Sequence, residues 1–164
     1  MTKKIIIVRH AKSSWTDFNL SDFDRPLDER GLTDAPAMAA LLKDTGYVPQ
    51  KLISSSAVRA KSTANFFANV FGLPLETTED LYHGEPDDFL EQLALLHEDV
   101  SCVALFGHNP GITYLANLIK QAVTDNIPTC GMIICEMPPQ TAWKKAKWSK
   151  MKLISILTPK NPYP

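Results

Sequence analysis

The run Ile5-Ile6-Ile7-Val8 is followed directly by Arg9-His10, and that junction restricts the possible folds of this chain more than any other stretch. Four consecutive branched apolar residues without polar alternation read as a strand buried on both faces, as in parallel sheets covered by helices. Two more strand-like runs end in comparable residues. Lys51-Leu52-Ile53-Ser54-Ser55-Ser56 leads to Arg59, and Cys102-Val103-Ala104-Leu105-Phe106 leads to Gly107-His108. In an open α/β sheet the carboxyl ends of neighbouring strands share one crevice, and ligands bind there. Two arginines and two histidines are therefore expected at one edge. Such a set suits a nucleophilic imidazole attacking a dianionic phosphoryl group.

The rest of the chain alternates element types, predicting an α/β fold with a mostly parallel central sheet. After a first strand over Lys3 to Val8, the stretch from Ala11 to Gly31 is polar and without periodicity. Thr33 is placed as an N-cap, with Pro36 in the first turn, Met38, Leu41 and Leu42 on the apolar face, and Gly46 at the end. Lys51 to Ser54 reads as a second strand. A helix from about Ser56 presents Ala60, Thr63, Ala64, Phe67 and Phe71, and Gly72 stops it. Glu76 to Tyr82 is a third strand or an extended segment, and Pro86 opens a helix with Phe89, Leu90, Leu93 and Leu96 inward. Val100 to Phe106 is a strand and Gly111 to Val123 a helix. Met132 to Met137, a short segment near Trp143, and Met151 to Thr158 read as closing strands.

The 164 residues fit one domain spanning 1–164, large enough for a real core. With 17 basic and 18 acidic residues the net charge is −1, so no bulk basic field exists for nucleic acid or anionic lipid. Any anion has to be held by a few aimed residues. The apolar run near the amino terminus is too short for a signal-peptide core or a membrane span, which gives a cytoplasmic expectation. Cys102, Cys130 and Cys135 are read as free thiols in a reducing compartment.

The chemistry follows from charge. A phosphoryl group in transfer carries negative charge on its equatorial oxygens, and catalysis is mostly positioning and electrostatic stabilisation. Arg9 and Arg59 offer planar forks of N–H donors for that purpose, with no metal or cofactor required. Imidazole is both a competent nucleophile towards phosphorus and a good leaving group, so His10 can form a covalent phosphohistidine. Attack needs a neutral ring whose other nitrogen is held by a backbone carbonyl or similar acceptor. His108, when protonated, can donate to a non-bridging oxygen.

Arg9-His10-Ala11-Lys12-Ser13 resembles the opening Arg-His-Gly motif of the histidine phosphatase superfamily. The alanine variant, followed by Asp24-Arg25-Pro26-Leu27 and Gly31, is similar to the branch of phosphohistidine phosphatases that contains SixA. Ser54-Ser55-Ser56-Ala57-Val58-Arg59-Ala60 with Thr63-Ala64 resembles the second family motif, and Gly107-His108-Asn109-Pro110-Gly111 the third. The resemblance implies a three-layer α/β/α sandwich of the phosphoglycerate mutase-like type. It implies His10 as the phosphorylated nucleophile, and Arg9, Arg59 and His108 as ligands of the phosphoryl oxygens. Arg25 would be an outer contact with phosphate or substrate.

Larger relatives carry a carboxylate general acid in the segment corresponding to Glu79–Glu85, where no residue here clearly matches. Asp80, His83 and Glu85 remain candidates. An alkoxide leaving group needs such an acid far more than a phosphoramidate or acyl phosphate does. The expected substrate is therefore phosphohistidine in a protein, with a small phosphomonoester or acyl phosphate as the alternative and a non-catalytic phosphoprotein-binding module as a third reading. Other features carry blander expectations. Trp143 to Lys150 is read as a β-hairpin with one buried Trp rather than a nucleic-acid surface, and Asp17, Asp22, Asp24 and Asp28 as a solvated loop near the site mouth rather than a calcium loop. Cys130 and Cys135 lack a second pair to complete a metal site.

Overall fold

In a computed structural model describing residues 2–162, β1 (Lys4–Arg9) occupies the middle of a six-stranded sheet. It lies between β4 (Cys102–Gly107) and β5 (Met132–Glu136). The other strands are β2 (Lys51–Ser55), β3 (Leu75–Thr78) and β6 (Lys152–Leu157), in the order β3-β2-β4-β1-β5-β6. The pairs β1–β4, β2–β4 and β2–β3 are parallel, whereas β5 runs antiparallel to both neighbours.

The unbroken apolar run of β1 follows from cover on both faces. Ile5 and Ile7 enter one cluster with Phe89 and Leu93 of α3 (Pro86–Ala94) and Ile112 and Leu115 of α4 (Gly111–Ile119). Ile6 and Val8 point the other way, onto Met38 and Leu42 of α1 (Glu29–Asp44) and Ala64 and Phe67 of α2 (Val58–Phe71). Helices thus cover both faces, which is the expected three-layer sandwich. Among the described residues no helix is long and apolar enough to cross a membrane.

Four local expectations change. α1 starts at Glu29 rather than after Thr33, because the Asp28 carboxylate accepts from the Gly31 N–H at 2.8 Å and caps the helix one turn earlier. Thr33 instead sits inside, its hydroxyl donating to the Glu29 carbonyl. The segment after β3 does not continue as a strand but turns into a 3-10 helix over Glu79–Leu81. α4 stops at Ile119, short of Val123, where the Asn117 amide takes over. Its oxygen accepts from Val123 N and its nitrogen donates to Thr124 O, both at 2.9 Å, closing a loop instead. The Trp143 segment forms neither a strand nor a hairpin. Two 3-10 turns, Trp143–Lys145 and Trp148–Lys150, bury both indoles, whose N–H groups donate to Val100 O and Pro86 O. Satisfying both indole donors inside the core outweighs strand pairing there.

Gly111 lets α4 approach the loop before α3 so closely that a β-carbon would lie 1.9 Å from the Gly84 carbonyl oxygen. Gly111→Ala should destabilise the protein by roughly 2–3 kcal/mol, lowering Tm by roughly 5–10 °C in scanning calorimetry. A variant that melts with the wild type would contradict this contact.

Candidate active site

The parallel register sets Arg9 opposite Gly107, so His10 and His108 each follow the last paired residue of adjacent strands. Their ring centroids are 5.1 Å apart. The backbone of His10 is pinned on two sides, its N–H donating to Gly107 O and its carbonyl accepting from Cys130 N, both at 3.0 Å. Arg59 arrives from the first turn of α2, on the far side of β4. Arg9, His10, Arg25, Arg59 and His108 then line one cleft of about 160 Å³, together with Lys12, Ser13, Trp15, Asn109 and Thr129.

The hydrogen bonds of His10 define its tautomer. Nδ1 lies 2.7 Å from the carbonyl oxygen of Ala11, which can only accept, so Nδ1 carries the proton and Nε2 keeps its lone pair. Ala11 is itself held on its N–H side. The Ala11 N–H donates to Thr63 Oγ1 at 2.9 Å, and the Thr63 hydroxyl donates to Arg59 O at 2.8 Å. Burial pushes the His10 pKa down to about 3, helped by the positive charges of Arg59, Arg9 and Arg25. The neutral ring required of a nucleophile is therefore the resting form.

His108 rests in the same charge state. Burial, with His10 and Arg59 nearby, pushes its pKa to about 3 as well, so the resting ring is not an imidazolium. Its donor role falls to the neutral tautomer. Ser55 Oγ accepts from Ala57 N at 3.2 Å and lies 2.8 Å from His108 Nε2, to which its hydroxyl proton can be given. In that arrangement Nδ1 carries the His108 proton, whereas with Nε2–H given to Ser55 Oγ it is an acceptor; in both, Nδ1 is buried with no protein partner.

Two arginine donors share that condition, Nε of Arg9 and Nε of Arg59. Buried donors without acceptors are costly, and both of these belong to side chains that line the cleft. Of the other nitrogens of the cleft arginines, only Arg9 Nη2 makes no hydrogen bond among the described residues. Arg9 Nη1 donates to Ile127 O at 2.8 Å. Arg59 Nη1 donates to the carbonyl of Asp22 at 2.6 Å and Nη2 to its carboxylate at 3.0 Å. Arg25 is fixed by Ser13 Oγ, by Ser14 O at 3.1 Å and by the Asp22 carboxylate at 2.9 Å, with its guanidinium over the Trp15 ring.

Asp22 is therefore more than a solvated loop residue. The hydroxyl of Tyr82, followed by Arg25 and Arg59, holds its carboxyl well below the usual carboxylate range. Asp22 ties two cleft arginines to the loop after β1, and no sequence pattern links it to Arg59, 37 residues away. Ser55 and Thr63 lie within quoted motifs, but their role in orienting the two histidines depends on contacts across strands. The three general-acid candidates are not brought into the cleft. His83 and Glu85 line a neighbouring hollow of about 120 Å³ that shares His108 and Asn109, and Asp80 faces Gln92. Cys130 and Cys135 are free and buried in opposite core clusters, their thiols pushed up to about 12 by burial.

Both histidines are held neutral by the folded state, whereas an unfolded chain takes up their protons near the ordinary value of 6.5. The stability they contribute is thus present above pH 6.5 and is lost as pH falls from there towards 3. In NMR titrations, the ring carbon-bound protons of His10 and His108 should keep neutral-imidazole shifts from about pH 8 down to about pH 5. A midpoint near the ordinary histidine value for either ring would contradict the burial argument.

Comparisons with known proteins give one direction. The model of the histidine phosphatase superfamily (branch 1) matches residues 5–85. An uncharacterized chloroplastic protein of Arabidopsis thaliana is 29% identical over 147 residues, covering 83% of this chain and 67% of that protein. A 2,3-bisphosphoglycerate-dependent phosphoglycerate mutase of Chelativorans sp. is 38% identical over 90 residues, 53% of this chain and 44% of the mutase. Among solved structures, a protein described as the phosphohistidine phosphatase SixA of Agrobacterium tumefaciens superposes with a TM-score of 0.81 at 26% identity. That match covers 96% of this chain and 99% of the other. The protein histidine phosphatase SixA complexed with tungstate superposes with a TM-score of 0.79 at 21% identity, over 96% and 98% of the two chains.

Proposed function

The chain belongs to the histidine phosphatase superfamily, and from that premise we propose that it removes phosphate from phosphohistidine in proteins through a covalent intermediate on His10. Phosphoryl transfer is the chemistry common to the relatives, which include SixA phosphatases and a phosphoglycerate mutase. The observation that carries the reading here is the tautomer of His10. With Nδ1–H given to the Ala11 carbonyl, the Nε2 lone pair is the nucleophile, beside two buried arginine donors without acceptors.

In the first transfer Nε2 forms a bond to phosphorus as the bond from phosphorus to the substrate nitrogen breaks, and that nitrogen leaves with the electron pair. In the second, water attacks phosphorus, Nε2 recovers its lone pair, and the water proton departs with inorganic phosphate. Arg9 and Arg59 through Nε, and His108 through Nδ1–H, stabilise the equatorial oxygens in both steps. Arg25 is an outer contact, held at the cleft wall by Trp15 and Asp22. That SixA takes tungstate, a tetrahedral oxyanion, supports this assignment by likeness.

An imidazole leaving group suits a cleft into which none of Asp80, His83 and Glu85 projects, because it departs with far less help from an acid than an alkoxide. The second reading, a small phosphomonoester or acyl phosphate phosphatase, draws on His83 and Glu85 in the adjoining hollow, where an acid could reach a differently placed leaving group. A cytoplasmic setting and a single domain over 1–164 complete the reading, supported by three free cysteines and one continuous sheet.

The test is phosphate release from protein-borne phosphohistidine beside small phosphomonoesters, for wild type and His10→Ala. We expect preference for phosphohistidine and a loss of at least about 10³-fold in the variant. Faster ester hydrolysis that still needs His10 would move the assignment to the second reading. Equal rates in both proteins would remove His10 as nucleophile.

A further inference from the structure

The loop between β1 and α1 exposes three large apolar side chains within six residues, Trp15 at 64%, Phe18 at 96% and Leu20 at 39%. Single exposed apolar residues are ordinary, but three within six residues of a loop whose Trp15 lines a polar cleft are not explained by folding. Trp15 lines the cleft, with the Arg25 guanidinium carbon 3.2 Å from its ring centroid, so the apolar lip is continuous with the phosphoryl site. The loop is also acidic. Asp22 is neutralised by Arg25 and Arg59, but Asp17 and Asp24 pair with no cation among the described residues. Their carboxylates accept only from Asn19 N and Ser21 Oγ.

The size of the cleft decides what must cross this lip. About 160 Å³ accommodates a phosphoryl group and the ring that carries it, so the remainder of a larger substrate lies over the rim. A sugar phosphate would want hydrogen-bond donors there and would meet indole, phenyl and leucine side chains. An anionic lipid surface would be repelled by Asp17 and Asp24. A polypeptide with apolar and basic side chains beside its phosphorylated residue matches both properties of the lip.

We propose that the Trp15–Leu20 loop is the docking lip for a polypeptide substrate, with Phe18 and Leu20 receiving apolar side chains and Asp17 and Asp24 receiving basic ones next to the phosphorylated histidine. This inference rests on the phosphohistidine reading and adds the source of its selectivity for protein over small molecule. Phe18 and Leu20 touch none of the reacting groups, so their loss should separate docking from chemistry.

The experiment compares wild type with Phe18→Ser/Leu20→Ser on two probes. One is a histidine phosphopeptide flanked by leucine and lysine, and the other is N-phosphoimidazole, which cannot reach the lip. The expected result is a rise of about tenfold in KM for the peptide with kcat nearly unchanged, and kcat/KM for N-phosphoimidazole within about twofold. Replacing the peptide lysines by glutamate should raise the wild-type KM as well. Unchanged peptide KM in the double variant, or equal losses on both probes, would overturn the docking lip. So would sedimentation of the wild type with phosphatidylcholine vesicles that is lost in the variant, since the lip would then serve a membrane. Failure of the phosphohistidine reading is seen separately, as a wild type that leaves N-phosphoimidazole intact and hydrolyses phosphomonoesters.

Discussion

Arg9 lies opposite Gly107 in the parallel pair β1–β4, and the N–H of His10 donates to the Gly107 carbonyl at 3.0 Å. From this one register the other features of the site follow. Two strands that end together deliver His10 and His108 side by side, and β2, pairing with the other edge of β4, brings Ser55 beneath His108 and starts the helix that carries Arg59. A slip of one residue would turn every β1 side chain to the opposite face, exchanging Ile5 and Ile7 with Ile6 and Val8 between two differently shaped clusters. The core thus fixes the position of His10, and the energy that does so is hydrophobic burial.

Charge completes what the register begins. The cleft concentrates guanidinium groups around two imidazoles that burial keeps neutral, so positive potential is supplied by residues that cannot give up a proton while His10 keeps its Nε2 lone pair. Such a concentration is self-repelling, and burial together with the Arg59 charge pushes the Arg9 pKa down. Asp22 offsets part of the repulsion from outside the cleft. By occupying the terminal nitrogens of Arg59 it leaves Nε facing no protein acceptor, so rigidity and unsatisfied donor capacity arise from the same contacts.

Much of this was legible in the chain because it is written in contiguous patterns. The apolar runs of β1, β2 and β4 announce buried strands, and the residues that end or follow them, Arg9-His10, Arg59 and His108, are the ones that meet in the cleft. What escaped depends on partners distant in sequence or on competition between similar local signals. Asp28 and Thr33 are both capping residues, and only the close passage of Gly31 against the Lys12 carbonyl selects the first. Trp143 and Trp148 alternate with lysines as a hairpin would, yet the carbonyls that receive their indole N–H groups belong to distant segments. Asp22 looks like one of four loop carboxylates until Arg59 and Tyr82 are placed beside it. The tautomer of His108 likewise turns on Ser55, whose motif signals location and not orientation.

The most direct measurement is capture of the phosphorylated enzyme. Wild-type protein would be mixed with ³²P-labelled phosphohistidine protein, quenched in alkali within milliseconds, and digested for tandem mass spectrometry under alkaline conditions that preserve phosphoramidates. The expected result is an acid-labile, alkali-stable phosphoryl group on His10 Nε2 that forms and decays at the rate of turnover. Label on any other residue, or turnover at full rate with no phosphorylated enzyme formed, would contradict it.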